Sequence, residues 1–278
     1  MAASSRRNPF VVLLLAGLAL AVAGCSSDRA RRVKTGSVSY ATVSLMKDRD
    51  MPRQAPILIR VFKEEGVLEV WKQERAGHYG LLRTYEICKF SGKLGPKIRE
   101  GDRQAPEGFY QISAKSLNPF SRNHLAFDVG FPNAFDRSLG RTGSHLMVHG
   151  GCKSVGCYAM THKNMEEIYG LVREALLSGQ SSVPIQAFPF RMTESNMIRH
   201  ADNPNMPFWV MLKQGHDLFA ATGRPPRVGA CPGRYVFAPA GRALDPYACE
   251  AQASLGAGRA SYAANSSYAA EPNYYEPR

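Results

Sequence analysis

The sequence lacks three features that would each suggest a class of function. It has no block of lysine and arginine interleaved with aromatic residues, which argues against a nucleic-acid partner despite a formal net charge of +12. It has no repeated pair of closely spaced cysteines, as structural zinc sites usually have. Its longest apolar run, residues 11–22, is too short to span a bilayer comfortably. We therefore expect no nucleic acid, metal or cofactor in its function, and we attribute the basic charge to attraction toward an anionic polymer or lipid surface.

The N-terminus has the pattern of an export signal. Arg6 and Arg7 precede the apolar run, and small residues follow it directly before Cys25. This ending resembles a bacterial lipobox, which implies that residues 1–24 are a signal peptide and that Cys25 is lipidated, giving stable membrane anchoring. An ordinary signal peptide with an incidental cysteine is the alternative. Because Ser26 rather than aspartate follows the cysteine, the outer membrane, facing the periplasm, is favoured over the inner membrane.

The remainder of the chain divides by composition into four segments. Residues 25–54 are polar and basic, and we predict a lipidated tether with a short helix near Tyr40–Asp48. Residues 55–200 have the strand and helix patterns of a catalytic domain, and residues 201–238 those of a C-terminal helical extension. Residues 239–278 are rich in Ala, Gly, Ser and Tyr and are predicted to be a low-complexity, disordered tail.

The apolar patterns predict a mostly β fold with peripheral helices, an α+β arrangement. Short apolar or alternating segments bounded by turn-forming residues predict strands at residues 57–62, 67–71, 81–90, 110–113, 127–129, 146–148 and 183–188. Apolar residues at helical spacing predict helices at residues 164–177 and 206–221. Most of the strands come before the first of these helices, so the domain is built mainly from sheet.

One short segment, residues 145–160, contains two histidines and two of the six cysteines. His149, Cys152 and Cys157 offer three metal ligands, but a single Cys-x4-Cys is not the usual spacing of a structural zinc site. A Cys152–Cys157 disulfide suits an oxidising compartment, but it closes a very small loop and gives no reason for the neighbouring histidine. His145 is predicted to be structural or solvated. Both alternatives stay open beside a third, a catalytic thiolate.

The catalytic interpretation accounts for more of these residues. A cysteine thiol needs a neighbouring imidazole or positive field to become reactive near neutral pH. His149 lies at the end of a predicted strand, where it could act as general base and then acid. Gly156 precedes Cys157 and lets backbone approach a substrate closely, so that local amides could form an oxyanion hole. We therefore predict Cys157 as the nucleophile.

Two motifs make the sequence recognisable. Val-His-Gly at residues 148–150, followed by Ser-x-Gly-Cys at residues 154–157, resembles the catalytic domain of the L,D-transpeptidase (YkuD-like) family. The likeness extends over about residues 55–200 and implies a β-sandwich or barrel catalytic domain. Neighbouring sequence motifs resemble the YafK-like branch of that family; they lie at residues 130–136, 140–144, 149–152, 156–160 and 189–193.

The resemblance assigns roles within the segment. It implies that Cys157 is the nucleophile, that His149 is the general base, and that the backbone carbonyl of Gly150 orients the imidazole. Cys152 matches no nucleophile position of the family. The chain departs from typical members in two ways: Val155 stands where they have a second histidine, and only eight positions separate His149 from Cys157.

Residues outside the two motifs are also candidates for a role. Arg141 and Ser154 are predicted to contact substrate, Arg141 by bidentate binding of a carboxylate. Cys88 lies in an apolar segment and is predicted to be a buried thiol. A disulfide between Cys231 and Cys249 stays an open alternative.

The resemblance implies cysteine acyl transfer on peptidoglycan stem peptides, through a thioester on Cys157. With an amine as acceptor, the chain is a periplasmic, lipid-anchored L,D-transpeptidase that crosslinks or remodels the cell wall. With water as acceptor, it is a hydrolase that cuts the link between peptidoglycan and a lipoprotein, an activity associated with the YafK-like branch. The non-enzymatic alternative is a degenerate peptidoglycan-binding envelope lipoprotein, against which the presence of both His149 and Cys157 argues.

Overall fold

The computed structural model describes residues 34–249. The predicted signal peptide, the lipidation site Cys25 and residues 250–278 of the predicted tail lie outside the described residues. Within the described part of the chain, no helix combines the length and the apolar character needed to cross a membrane.

The described chain alternates short strands with a few helices. The strands are β1 Ile57–Phe62, β2 Val67–Gln73, β3 Tyr79–Glu86, β4 Lys89–Phe90, β5 Gly108–Ile112, β6 Leu117–Asn118, β7 Ala126–Asp128, β8 Met147–Gly150, β9 Tyr158–Met160, β10 Val183–Phe188, β11 Arg227–Cys231 and β12 Arg234–Ala238. The α-helices are α1 Tyr40–Asp48, α2 Ala134–Ser138, α3 His162–Leu177, α4 Glu194–Arg199 and α5 Met206–Thr222, and a 3₁₀ helix covers Ala114–Ser116.

These strands form two five-stranded sheets and one hairpin. The first sheet has the order β3-β2-β1-β10-β5, and the second has the order β4-β9-β8-β7-β6. Most neighbours are antiparallel, but β1 pairs with β10 and β8 pairs with β9 in parallel. Strands β11 and β12 form the separate hairpin. The predicted α+β fold class, mostly β with peripheral helices, is confirmed.

One core fills the space between the two sheets. Ile59 and Val61 of β1 belong to the same buried cluster as Val148 of β8 and Tyr158 of β9. Alternate residues of a strand point to the same face, so β1 directs these side chains toward the second sheet. The buried face of α3 packs into the same cluster, through Ile168 among others. The second sheet, which carries His149, is thus supported from behind by a continuous core.

A second core covers the opposite face of the first sheet. Phe62 and Phe188 from that sheet pack with Trp209 of α5 and Tyr235 of β12. The predicted C-terminal helical extension therefore contains a β-hairpin as well as helices, and the hairpin supplies part of this aromatic cluster. The buried carboxylate of Glu107 accepts a hydrogen bond from the Trp209 indole at 2.9 Å, which fastens α5 to the domain.

Two predicted segment boundaries are wrong. Met46 of α1 and Met51 after it are buried in the first core, and the Thr42 hydroxyl donates a 2.6 Å hydrogen bond to Glu167 of α3. The end of the predicted tether is therefore part of the domain, which begins before residue 55. At the other end, a disulfide joins Cys249 to Cys231, so the start of the predicted tail is held to the hairpin.

Candidate functional site

The second sheet positions the candidate base. His149 lies on β8, between β7 and β9. In both pairings its register partner is an alanine, Ala126 on β7 and Ala159 on β9. Paired residues direct their side chains to the same face of a sheet, so the imidazole is flanked by a methyl group on each side. The residue as a whole is buried, with 3% of its surface exposed, and it borders the cleft described below.

A hydrogen bond to the backbone fixes the orientation of the imidazole. Nδ1 of His149 lies 2.9 Å from the carbonyl oxygen of Gly150. A carbonyl oxygen only accepts, so Nδ1 carries the proton of the neutral ring and Nε2 keeps its lone pair. This is the contact that the family resemblance implied. An imidazole held in this tautomer can take a proton from a thiol at Nε2.

The turn after His149 leaves little room for a side chain at Gly150 and adopts a conformation that favours glycine at Gly151. A Cβ on Gly150 would lie 3.0 Å from the carbonyl oxygen of Asn123 and 3.1 Å from the ring of His162. Gly151 has a φ of +85°, in the left-handed region that favours glycine. Glycine at these two positions therefore lets the chain turn directly after the residue whose carbonyl orients the imidazole.

The hydroxyl of Ser154 shapes the loop that carries Cys157. It accepts a 3.0 Å hydrogen bond from the Cys157 N–H and donates a 2.6 Å hydrogen bond to the Cys157 carbonyl. It also lies 2.8 Å from the hydroxyl of Ser91. Ser154 borders the cleft, but its oxygen already has three partners. The geometry therefore supports a role in positioning Cys157 rather than the predicted contact with substrate.

Of the two backbone amides at Gly156 and Cys157, that of Gly156 is the candidate donor to an oxyanion. Because Ser154 already accepts from the N–H of Cys157, that amide is engaged. Gly156 has a φ of +95°, in the left-handed region. Among residues 34–249, no acceptor forms a hydrogen bond with its N–H. A backbone N–H next to the nucleophile can stabilise the negative charge of a tetrahedral intermediate. The role of Gly156 stays a prediction.

Two backbone groups contact the thiol of Cys157. Its Sγ accepts a hydrogen bond from the Met147 N–H at 3.4 Å and donates to the carbonyl of His145 at 3.7 Å. Burial raises the pKa of the thiol above its ordinary value, and the charge of Asp128 raises it further, while the Met147 N–H partly opposes both. No hydrogen bond joins the thiol to His149 in this structure. The base must therefore reach the proton after substrate binds, or through a water molecule.

His145 contributes through its backbone. Its φ of +54° lies in the left-handed region, which is uncommon for a residue with a side chain. That conformation accompanies the carbonyl contact to the Cys157 thiol, and the residue also borders the cleft. Sequence reasoning treated His145 as structural or solvated, and no sequence signal indicates a backbone acceptor.

Cys152 is joined to Cys88 by a disulfide. The prediction that Cys88 is a buried thiol is therefore wrong, and so is a Cys152–Cys157 disulfide. Cys152 is also removed as a competing nucleophile, and Cys157 is the free cysteine among residues 34–249. Within the same residues, no group of three His, Cys, Asp or Glu side chains is arranged to hold a metal ion.

Serine replacement of both Cys88 and Cys152 is expected to destabilise the domain by about 4 kcal/mol, because the bond closes a 64-residue separation. The matched control is the double serine variant of Cys231 and Cys249, separated by 18 residues, for which the same chain-entropy argument gives about 3 kcal/mol. Urea unfolding of both variants measures the difference. An unchanged unfolding midpoint for the first variant would contradict a stabilising bond.

Arg141 lies in a buried ion pair and not at the cleft. Its Nη1 donates to the carboxylate of Asp136 at 3.0 Å, and both side chains are buried. The guanidinium also lies over the rings of Phe135 and Phe208, with its carbon 5.0 and 5.1 Å from the two ring centres. One carboxylate and two aromatic rings thus engage the side chain, which does not line the cleft. The prediction that Arg141 binds a substrate carboxylate is therefore wrong for this conformation, and its role is to hold α2 against α5.

The cleft at Cys157 has a volume of about 460 Å³. No aspartate or glutamate lines it, while two lysines and two histidines do. Its walls are formed by Lys89, Ser121, Asn123, Ala126, His145, Met147, His149, Lys153, Ser154, Val155 and Cys157. The predicted nucleophile and the predicted base thus share one cleft, and sequence reasoning missed the two lysines. The only sequence signal for them is that each directly follows a cysteine.

The sequence matches a known family and known relatives. Residues 58–185 match the model of the L,D-transpeptidase catalytic domain, YkuD. The YafK proteins of Escherichia coli K12 and O157:H7, provisionally assigned as L,D-transpeptidases, are each 45% identical over 201 residues. That alignment covers 72% of this chain and 81% of each relative.

Solved structures give more distant matches. The helical cell shape determining protein Pgp2 from Campylobacter jejuni is 21% identical, with a TM-score of 0.40, over 56% of this chain and 59% of that one. Bd1075 from Bdellovibrio bacteriovorus is 19% identical, with a TM-score of 0.36, over 59% of this chain and 60% of that one. The chain thus spans about three fifths of each of these structures.

Proposed function

Because the chain belongs to the L,D-transpeptidase family, a family of peptidoglycan-related transpeptidases, we propose that it transfers peptidyl groups of peptidoglycan stem peptides through a thioester on Cys157. The observation that supports this proposal most strongly is the shared cleft of Cys157 and His149. The imidazole is fixed there by Gly150 with Nε2 free to accept a proton.

The chemistry divides into acylation and transfer. His149 takes the proton of the Cys157 thiol, and the sulfur attacks the carbonyl of the L-centre residue in an L,D-peptide bond. The amide of Gly156 stabilises the oxyanion of the tetrahedral intermediate. His149 then gives its proton to the leaving amine as the C–N bond breaks, and a thioester remains on Cys157.

The acceptor determines the final reaction. An amine that attacks the thioester gives a new peptide crosslink or attaches a lipoprotein lysine, whereas water gives hydrolysis and frees a bound lipoprotein. Hydrolysis is the second candidate reaction beside transpeptidation, and the observation that favours it is Val155. It stands where typical members have a histidine, it lines the cleft, and the residue is 76% exposed.

The test incubates the purified protein with free tetrapeptide muropeptides and, separately, with lipoprotein-linked muropeptides, and reads the products by mass. Crosslinked products from the first substrate support the transpeptidase. Lipoprotein release without new crosslinks supports the hydrolase. If neither substrate changes and no acyl adduct appears on Cys157, the catalytic proposal fails; retention of muropeptides without turnover would then favour a binding protein.

The proposal includes a location for this activity. The basic N-terminal segment and the lipobox-like ending at Cys25 support a lipid-anchored protein that faces the periplasm, and Ser26 rather than aspartate after the cysteine favours the outer membrane. Labelling cells with a radioactive fatty acid should mark the wild type, and Cys25→Ala should remain unlabelled. Label retained in Cys25→Ala would contradict anchoring at that residue.

A further inference from the structure

Lys89 and Lys153 are the two cations of the cleft that the proposed chemistry does not use. Both side chains are exposed, both line the cleft with Cys157, and neither forms a salt bridge within residues 34–249. By contrast, the buried lysines Lys63 and Lys97 pair with Glu107 and Asp102. The two cleft lysines therefore present charges that no protein carboxylate neutralises.

The sheet register places Lys89 on the same face as the catalytic residues. Lys89 on β4 is the partner of Ala159 on β9, which is in turn the partner of His149 on β8. Paired residues share a face, and Cys157 shares that face with Ala159 because the two are two positions apart. Adjacent strands lie about 4.8 Å apart, so the Cα atoms of Lys89 and His149 are separated by about 10 Å. A lysine side chain covers much of that distance and can reach a group bound beside the thiol.

The disulfide ties Lys153 to the same side of the cleft. Cys88 directly precedes Lys89, and Cys152 directly precedes Lys153. The Cα atoms of the two cysteines are 5.2 Å apart, so the segments that carry the lysines are held next to each other. The covalent bond thus brings two unpaired ammonium groups to one wall of a cleft that contains no carboxylate of its own.

We infer that Lys89 and Lys153 form a carboxylate-binding subsite that selects an acyl donor with a free carboxylate near the scissile bond. This inference rests on the proposed function, since it names the feature of the donor that the site recognises. A lysine ammonium group is a compact charge on a flexible stem. It can therefore follow a peptide carboxylate without the fixed bidentate geometry that an arginine guanidinium imposes. The subsite acts on binding, so the lysines should affect KM more than kcat.

The test compares a stem tetrapeptide with the same peptide in forms amidated at one carboxylate each. For the wild type, amidation of at least one carboxylate should raise the KM for Cys157 acylation. Lys89→Gln and Lys153→Gln should each raise the KM for the unmodified donor by about two- to fivefold, the range expected of partly solvated ion pairs. In the double variant the KM penalty of amidation should disappear, because the charge partner is already missing.

The matched control is Lys47→Gln, an exposed lysine on α1 that removes the same charge away from the cleft. It should leave every KM unchanged, which separates local binding from general attraction to a basic protein. A double lysine variant that retains the wild-type penalty for amidation overturns the subsite while leaving the proposed function intact. If the wild type forms no acyl-enzyme with any donor, the proposed function fails first and the subsite fails with it.

Discussion

Replacing Cys157 by alanine is expected to abolish acyl-enzyme formation, because the sulfur that carries the acyl group is absent, and to lower turnover of the donor peptide by about 10⁴-fold or more, since only binding and oxyanion contributions remain. Cys157→Ser is expected to fall nearly as far, since a serine hydroxyl at this position has a much higher pKa than a thiol. The loss of acylation is measured by the intact mass of the protein after incubation with a stem tetrapeptide, or with an acylating carbapenem. The wild type should gain one adduct, and peptide mapping should place it on Cys157.

The disulfide pairing of the other described cysteines simplifies the interpretation of an adduct. Cys88, Cys152, Cys231 and Cys249 are all in disulfides, so Cys157 is the free thiol within residues 34–249. The two sulfur contacts of Cys157 are long, and we expect both variants to keep the wild-type melting temperature. An adduct of equal yield on Cys157→Ala would show that another residue is the nucleophile and would contradict the assignment. A loss of acylation together with a large drop in melting temperature would instead point to misfolding.

The secondary structure near the site was largely predictable from local patterns. The helix predicted at residues 164–177 is observed as His162–Leu177, and the strand predicted at residues 183–188 is observed as Val183–Phe188. The helix has strong apolar periodicity because one face of it packs into the core, and the strand is a short apolar segment because it lies between the two cores. The strand that carries His149 and the glycines around Cys157 were also identifiable, since turn chemistry is local.

Features that depend on distant contacts were not predictable. Cys88 has the apolar neighbours of a buried thiol, and nothing local indicates a partner 64 positions away. Arg141 has the loop setting of a surface residue, and its burial depends on the carboxylate of Asp136 and on a ring from α5. Lys89 joins the cleft only because β4 pairs with β9 at the edge of the second sheet. In each case the deciding interaction is tertiary, and a single sequence does not encode it in any local pattern.

Replacing His149 by glutamine is expected to slow acylation by about 10²- to 10⁴-fold, the usual contribution of general acid–base catalysis, while leaving the resting thiol unchanged. The rate of acylation and the reactivity of the resting thiol should respond differently because His149 forms no hydrogen bond with the thiol. The Cys157 thiol contacts Met147 and His145 rather than the imidazole, and burial raises its pKa above the ordinary 9.0. A raised pKa means that the thiolate is scarce at neutral pH and increases as the pH rises. Alkylation by iodoacetamide should therefore accelerate about tenfold per pH unit between pH 7 and 9.

The pH profile of alkylation distinguishes this resting thiol from a preformed thiolate–imidazolium pair. If the thiol rests alone, the alkylation profile of His149→Gln should follow that of the wild type, with a midpoint above pH 9 in both. If an ion pair exists, the wild type should already react at its plateau rate near pH 7, and the substitution should shift the midpoint upward. His78→Gln, which alters an exposed histidine between β2 and β3, is the matched control and should change neither rate. A plateau at neutral pH in the wild type would show that the imidazole already holds the proton before substrate arrives.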